Sequence, residues 1–365
     1  MIDDLKMLVE KGYEMKKESL EALGLQPLCP TVIGSSAFPG WYQYFQKQVA
    51  EYPERFGPAD LEEALLDATI LAVRDQETAG IEMVSDGEMG RVDFNLGFYD
   101  YLAGINPQPI PRRLGVPAHD QRGKYTSVEE LSAPNGLGTV KEYRTLAGLT
   151  DRVIKMPIAG PFTLAGRIDG GDVYKDRLAV TKALSRIVND EIKALVAEGC
   201  RFIQLDEPSF ACHPDDPSGF VDIINAVLDG VDAYVSMHMC FGNFRARAVA
   251  ERSYRPLFPG LLEANVDQLA LEFGSREMAE IDVLKDIADA GKSIAVGLVD
   301  VKNLWIEPVD FIEKRIETCL KFAPAEFLHV TADCGYSQTA RYAALGKMTN
   351  MSQAVRNIRI ANGLD

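Results

Sequence analysis

Ala233-Tyr234-Val235-Ser236-Met237-His238-Met239-Cys240 reads as a strand that ends in chemistry. Alternate residues of a strand share a face, so His238 and Cys240 point the same way and can both reach one metal ion. Taken alone, such a pair is more often packing than ligation, because cysteine is among the most buried residue types. What decides the matter is whether other strands end in the same manner.

Seven further runs do. Thr31 to Ser35 is a β-branched run with a polar end, and Ile81 to Ser85 is tipped by Asp86-Gly87-Glu88. Val153 to Ala159 leads to Gly160-Pro161-Phe162-Thr163, and Phe202 to Leu205 leads to Asp206-Glu207-Pro208. Gln268 to Leu271 ends on Glu272, Ser293 to Val299 on Asp300 and Lys302, and Phe327 to Thr331 on Asp333-Cys334-Gly335. Helical spacing fills the gaps at Asp60 to Thr78 (Asp60 as N-cap, Glu63 three residues on), Leu178 to Glu198, Phe220 to Leu228, Met278 to Ala290, Val309 to Leu320 and about Thr339 to Ile360. Alternation of this kind predicts an α/β protein with a parallel sheet, and a count of eight predicts a closed (β/α)8 TIM barrel. An open doubly wound sheet would normally carry a glycine-rich phosphate turn after an early strand, and the chain has none. The expectation is one barrel domain over residues 1–365. Met1 to Leu23 would add an N-terminal helix. Arg91 to Arg152, rich in Pro, Gly and charge, reads as a long insertion after the second strand, an arm or lid with a small hairpin; the competing reading is an unstructured loop.

The 365 residues carry a net charge of -16 and a pI near 4.8. Nucleic acid and anionic membrane surfaces are disfavoured partners, since both need a basic face. No apolar run approaches membrane-spanning length, and the charged N-terminus does not resemble a signal segment. The cysteines at 29, 200, 212, 240, 319 and 334 are scattered rather than arranged as a disulfide framework, which points to a reducing cytoplasm.

In a barrel the C-terminal strand ends meet at one mouth. His238, Cys240 and Cys334 would bring an imidazole and two thiolates there, with Glu272 adding a carboxylate from the strand between. Nitrogen and sulfur donors in near-tetrahedral number favour zinc. With these four ligands the site would carry a formal charge of -1, which suits activation of a sulfur substrate over activation of water. Against this, Cys334 could be a small residue at a tight turn and Glu272 could pair with Arg276. The remaining cysteines, with His119, His213 and His329, read as packing or surface residues.

The motifs Ile33-Gly34-Ser35, Asp86-Gly87-Glu88, Gly160-Pro161-Phe162-Thr163, Ile203-Gln204-Leu205-Asp206-Glu207-Pro208, His238-Met239-Cys240, Leu271-Glu272 and Asp333-Cys334-Gly335 occur in this order. From Thr31 to Lys347 the chain resembles the catalytic barrel of cobalamin-independent methionine synthase and its single-barrel relatives. The resemblance implies zinc on His238, Cys240, Glu272 and Cys334, and a small-molecule thiol, homocysteine, as methyl acceptor. It places the substrate amino group at Asp206 and Glu88 and its carboxylate near Ser35, with Glu207 counted among the substrate-facing groups; the competing reading of Asp206-Glu207-Pro208 is a cap on the next element. Two departures stand out. No second, N-terminal barrel is present, and the family's Asp-x-His triplet after the seventh strand is Asp300-Val301-Lys302 here. Asp300 and Lys302 are the candidate catalytic pair, but lysine is a poorer proton shuttle near neutrality. Methyl-folate is therefore in question as donor, and a separate methyl-carrier protein such as a corrinoid carrier is an alternative. A further alternative is an epoxyalkane:coenzyme M transferase-type reaction, in which a sulfonate-bearing thiol would call for Arg91, Arg112 or Lys302 at its far end. A non-catalytic metal-binding barrel is the third reading.

Overall fold

The computed structural model describes residues 23–91, 96–109, 123–212, 217–243 and 247–364. Residues 1–22 of the expected opening helix, together with Arg112, Arg113, His119 and His213, lie outside them. The strands are β1 (Met83–Val84), β2 (Ala103–Pro107), β3 (Tyr125–Ser132), β4 (Val153–Ala159), β5 (Ile168–Asp169), β6 (Phe202–Asp206), β7 (Tyr234–Met239), β8 (Gln268–Glu272), β9 (Ser293–Val299) and β10 (Leu328–Ala332). Seven of them form one sheet in the order β1-β4-β6-β7-β8-β9-β10, and the pairs β1–β4, β6–β7, β8–β9 and β9–β10 are parallel. Strands β6 to β10 are buried along their whole length. That is why they read as near-continuous apolar runs: helices cover the faces of a parallel sheet.

The chain divides into two compact units. The first comprises Met1–Gly90, Thr145–Lys155 and Gln268–Asp365. In it the expected first strand shrinks to two isolated bridges, Pro30 with Val330 and Thr31 with Met83. The segment still bonds both ways. The Val330 and Thr31 N–H groups meet Cys29 O and Val330 O at 3.0 and 2.9 Å, and the Glu82 N–H meets Pro30 O at 3.0 Å. It thus serves β10 on one side and β1 on the other, the place an eighth barrel strand must fill. Pro30 has no N–H to extend a regular ladder, which accounts for its shortness.

Two helix starts differ from expectation. The helix Pro58–Thr78 is capped at Gly57, and Asp60 is its third residue; the Asp60 carboxylate accepts the Gly57 N–H at 2.7 Å. Pro58 sets this start, because proline suits the first helical position. The helix expected from Met278 begins only at Val283. Glu277, Met278 and Glu280 hold left-handed φ values of 53°, 63° and 60°, so no regular turn can form before it.

The second unit comprises Arg91–Arg144 and Met156–Asp267. The described part of the inserted arm is ordered: β2 and β3 form an antiparallel hairpin, β5 pairs parallel to β3, and Thr139–Ala147 is a helix. Glu191, buried on the helix Arg177–Ala197, anchors the start of that short helix. Its carboxylate accepts from Leu137 N, Thr139 N and Thr139 Oγ1 at 2.7, 2.9 and 2.6 Å. Residues 110–122 of the arm lie outside the described set.

Candidate active site

In the second unit the functional groups sit on the paired ends of β6 and β7, where Asp206 is the register partner of His238. Asp206 Oδ1 lies 2.9 Å from His238 Nδ1 and accepts Gln204 Nε2 at 2.8 Å. The Glu207 N–H donates to His238 O at 2.9 Å, so the two strand ends are tied by main chain as well. Glu207 itself has a different task from the substrate-facing one expected of it. It is fully buried, and its oxygens accept from Phe162 N, Thr163 N and Thr163 Oγ1 at 2.9, 3.0 and 2.6 Å. Burial pushes its carboxyl up to about 7, against the pull of those donors. A Cβ on Gly160 would come within 2.2 Å of Glu207 Oε1, so only glycine admits the carboxylate there. Glu207 is the clamp between the ends of β4 and β6, closer to the capping alternative than to a substrate ligand.

In the first unit Glu272 is fully buried and accepts Lys302 Nζ at 3.2 Å. Arg276, the partner considered for it, pairs with Glu280 at 2.6 Å. Asp300 acts on the backbone of its own turn: its Oδ1 accepts the Lys302 N–H at 2.7 Å, and its own N–H reaches Glu307 Oε1 at 2.9 Å. Glu307 is in turn buried against Lys347 at 2.7 Å. Asp333, beside Cys334, accepts three consecutive N–H groups, those of Phe273, Gly274 and Ser275, at 3.1, 2.7 and 2.6 Å. It fixes the turn that follows Glu272. Burial drives its carboxyl upward, with Lys302 opposing.

Ser35 and Glu88 are both buried. The Tyr336 N–H donates to Ser35 O at 2.7 Å, and a Cβ on Gly335 would fall 1.9 Å from Ser35 Oγ. Glu88 takes a left-handed φ of 55°, and its N–H is held by Asp86 Oδ1 at 3.0 Å. Asp86 is thus a turn-former.

The ligand atoms of His238, Cys240 and Cys334 all lie within 4.8 Å of one another; Glu272 is not in that group. One imidazole and two thiols fit zinc by donor chemistry, and a carboxylate on the second ring nitrogen is the usual support of a metal-bound histidine. None of the six cysteines forms a disulfide. Cys200 and Cys319 are deeply buried, which raises both thiols to about 12 and makes them inert. His329 is likewise a packing residue, its Nδ1 3.1 Å from Gln268 Nε2. Sequence reasoning missed Gln204, Glu307 and Lys347 as supports. Gln204 stood in a quoted motif; the other two carry no local signal.

Parallel strands that carry acidic, thiol and imidazole groups at their C-terminal ends are what a (β/α)8-barrel enzyme of the α/β class has. Comparison with known proteins is more specific. The family described as cobalamin-independent synthase, catalytic domain, matches residues 28–357. A methionine synthase of Pyrococcus furiosus is 32% identical over 336 residues, 91% of this chain and 94% of that protein. One from Sulfurisphaera tokodaii is 28% identical over 335 residues, 91% and 93% of the two chains. A B12-independent methionine synthase from Shewanella sp. W3-18-1, solved with selenomethionine, superposes with a TM-score of 0.78 at 25% identity, covering 92% of this chain and 99% of that one. The chain belongs to the cobalamin-independent methionine synthase family and is a methyltransferase of that kind. No described helix is long and apolar enough to cross a membrane.

Proposed function

We propose that the protein transfers a methyl group to the thiol of homocysteine in a zinc-dependent reaction, giving methionine. The observation that carries this reading is the convergence of His238, Cys240 and Cys334. These three would hold the zinc, with Glu272 as the fourth ligand. When bound, zinc lowers the pKa of a thiol and keeps the substrate sulfur as a nucleophilic thiolate near neutral pH.

The residues of the chain do the rest. Asp206 holds the His238 ring through Nδ1, which leaves Nε2 as the nitrogen for the metal. Asp206 and Glu88 offer carboxylates to the substrate ammonium, and Ser35 lies at a strand end suited to its carboxylate. The substrate sulfur attacks the methyl carbon in line; a carbon–sulfur bond forms, and the electron pair of the broken methyl bond leaves with the donor. Buried walls and the arm exclude water.

Lys302 bears on the donor. Its ammonium is engaged with Glu272 and its backbone with Asp300, which suits holding the tip in place more than shuttling a proton to a folate. The reading therefore favours a methyl donor other than methyl-folate, with a separate methyl-carrier protein as one alternative. A sulfonate thiol such as coenzyme M is less well served. Of the cations considered for it, Arg91 is committed to Glu142 at 2.5 Å and to Pro157 O at 2.9 Å, Lys302 is engaged with Glu272 at 3.2 Å, and Arg112 lies outside the described residues. Six cysteines without a disulfide suit a cytoplasmic setting.

The test is metal content with activity. The purified protein should hold about one zinc per chain, and Cys334→Ala should lose both the zinc and the methylation of homocysteine. Full activity in zinc-free protein would overturn the proposal.

A further inference from the structure

Gln204 is fully buried in the middle of β6, yet only one end of its amide is used. Nε2 donates to Asp206 Oδ1 at 2.8 Å, while Oε1 has no hydrogen-bond partner. A buried carbonyl oxygen without a partner is destabilising, and an apolar side chain of the same length would avoid that cost. The amide orientation follows from chemistry: turned over, Oε1 would face a carboxylate. So the fold keeps a side chain that does not help it, for the sake of one contact.

That contact leads to the candidate metal site. Residues two apart on a strand share a face, which places Gln204 beneath Asp206 on β6. Asp206 in turn faces His238 across the parallel pair. Its Oδ1 receives both Gln204 Nε2 and His238 Nδ1, at 2.8 and 2.9 Å. An oxygen held from two directions cannot swing away from the ring, and the imidazole is kept with its proton on Nδ1.

We infer that Gln204 is a positioning residue for the reaction: it locks the Asp206 carboxylate so that Oδ1 fixes the His238 tautomer and Oδ2 remains for the substrate ammonium. The inference rests on the proposed role of His238 as a zinc ligand. Its structural half, the Gln204–Asp206–His238 relay, is tested independently of zinc.

The variant is Gln204→Met, which keeps length and removes the donor. Three measurements decide. In metal-free protein, 15N spectra of the histidine ring should show His238 protonated on Nδ1 in the wild type and a mixture of tautomers in Q204M. Competition with a chromophoric chelator should show zinc held about tenfold more weakly by Q204M, the scale of a lost outer-shell partner. The urea midpoint should be unchanged or higher, because the unpartnered oxygen is gone. A lower midpoint with unaltered tautomer and zinc affinity would make Gln204 a purely structural residue and overturn the inference. If the wild type binds no zinc, the zinc proposal fails, and the tautomer spectra still decide whether the relay exists.

Discussion

Lys347→Met isolates the buried ion pair that holds the tip of β9. Lys347 and Glu307 are 0% and 1% exposed and lie 2.7 Å apart. Lys347 Nζ also donates to Trp305 O, and Glu307 also accepts the Asp300 N–H at 2.9 Å. The Asn350 amide reaches Glu307 O at 2.8 Å, so one side chain and its backbone join the Asp300–Lys302 turn to the helix Arg341–Asn362. Methionine fills the volume of the lysine stem but leaves a buried carboxylate facing no cation. Removing one partner of a buried pair costs about 3–5 kcal/mol. The expected destabilisation is ~3–5 kcal/mol, read from urea unfolding followed by circular dichroism. The double variant Glu307→Gln with Lys347→Met should recover most of the loss, since the glutamine oxygen can still accept the Asp300 N–H and no charge is buried. A single variant within ~1 kcal/mol of wild type, or a double variant no better than the single, would refute the reasoning.

Two other expectations test different parts of the chain. Burial, with Lys155 and Arg359 nearby, lowers His329 to about 3, so the folded state keeps it neutral. The unfolded chain gains a proton below its ordinary pKa of ~6.5 while the native state does not, so stability is fully present above that pH and falls as pH drops towards 3. By pH 5 wild type should have lost about 2 kcal/mol more than His329→Gln, measured as urea midpoints at the two pH values; parallel losses in both proteins would rule the histidine out as the cause. Gly335→Ala would drive a methyl into Ser35 Oγ, 1.9 Å from the added Cβ. It should cost about 1–3 kcal/mol and raise KM for the thiol substrate, and adding Ser35→Ala should restore stability without restoring KM; recovery of both would remove Ser35 from substrate binding.

The barrel was legible because its strands announce themselves twice, as apolar runs and as polar ends. Buried parallel strands must be apolar along their length, and chemistry gathers where they stop. His238, Cys240 and Cys334 could be read together for that reason. What could not be read is which polar group has a backbone partner. Asp206 and Glu207 are adjacent and both acidic, yet Glu207 is claimed by Phe162 and Thr163, 45 and 44 residues away. Glu307 and Lys347 are 40 residues apart on different elements, and neither stands in a pattern. The first strand reads as regular from the β-branched run that opens at Thr31; Pro30 stands just before that run, and its missing N–H matters only once both neighbouring strands are in place.

The same division of labour recurs at each strand end. At β6, Glu207 takes backbone donors and Asp206 faces His238. At β10, Asp333 takes three N–H groups and Cys334 carries the thiol. After β1, Asp86 holds the Glu88 N–H and shapes the turn; after β9, Glu307 holds Asp300, and Asp300 holds Lys302. In each case one residue satisfies main-chain donors that a strand end would otherwise leave unpaired. Glycine enters where the anchoring group comes too close for a side chain, at Gly160 against Glu207 and at Gly297 against Asp333, whose Cα would lie 2.9 Å from an added Cβ. Loss of an anchor such as Glu207 or Asp333 should lower the urea midpoint, whereas Cys334→Ala should lower zinc content with the midpoint of the metal-free protein unchanged.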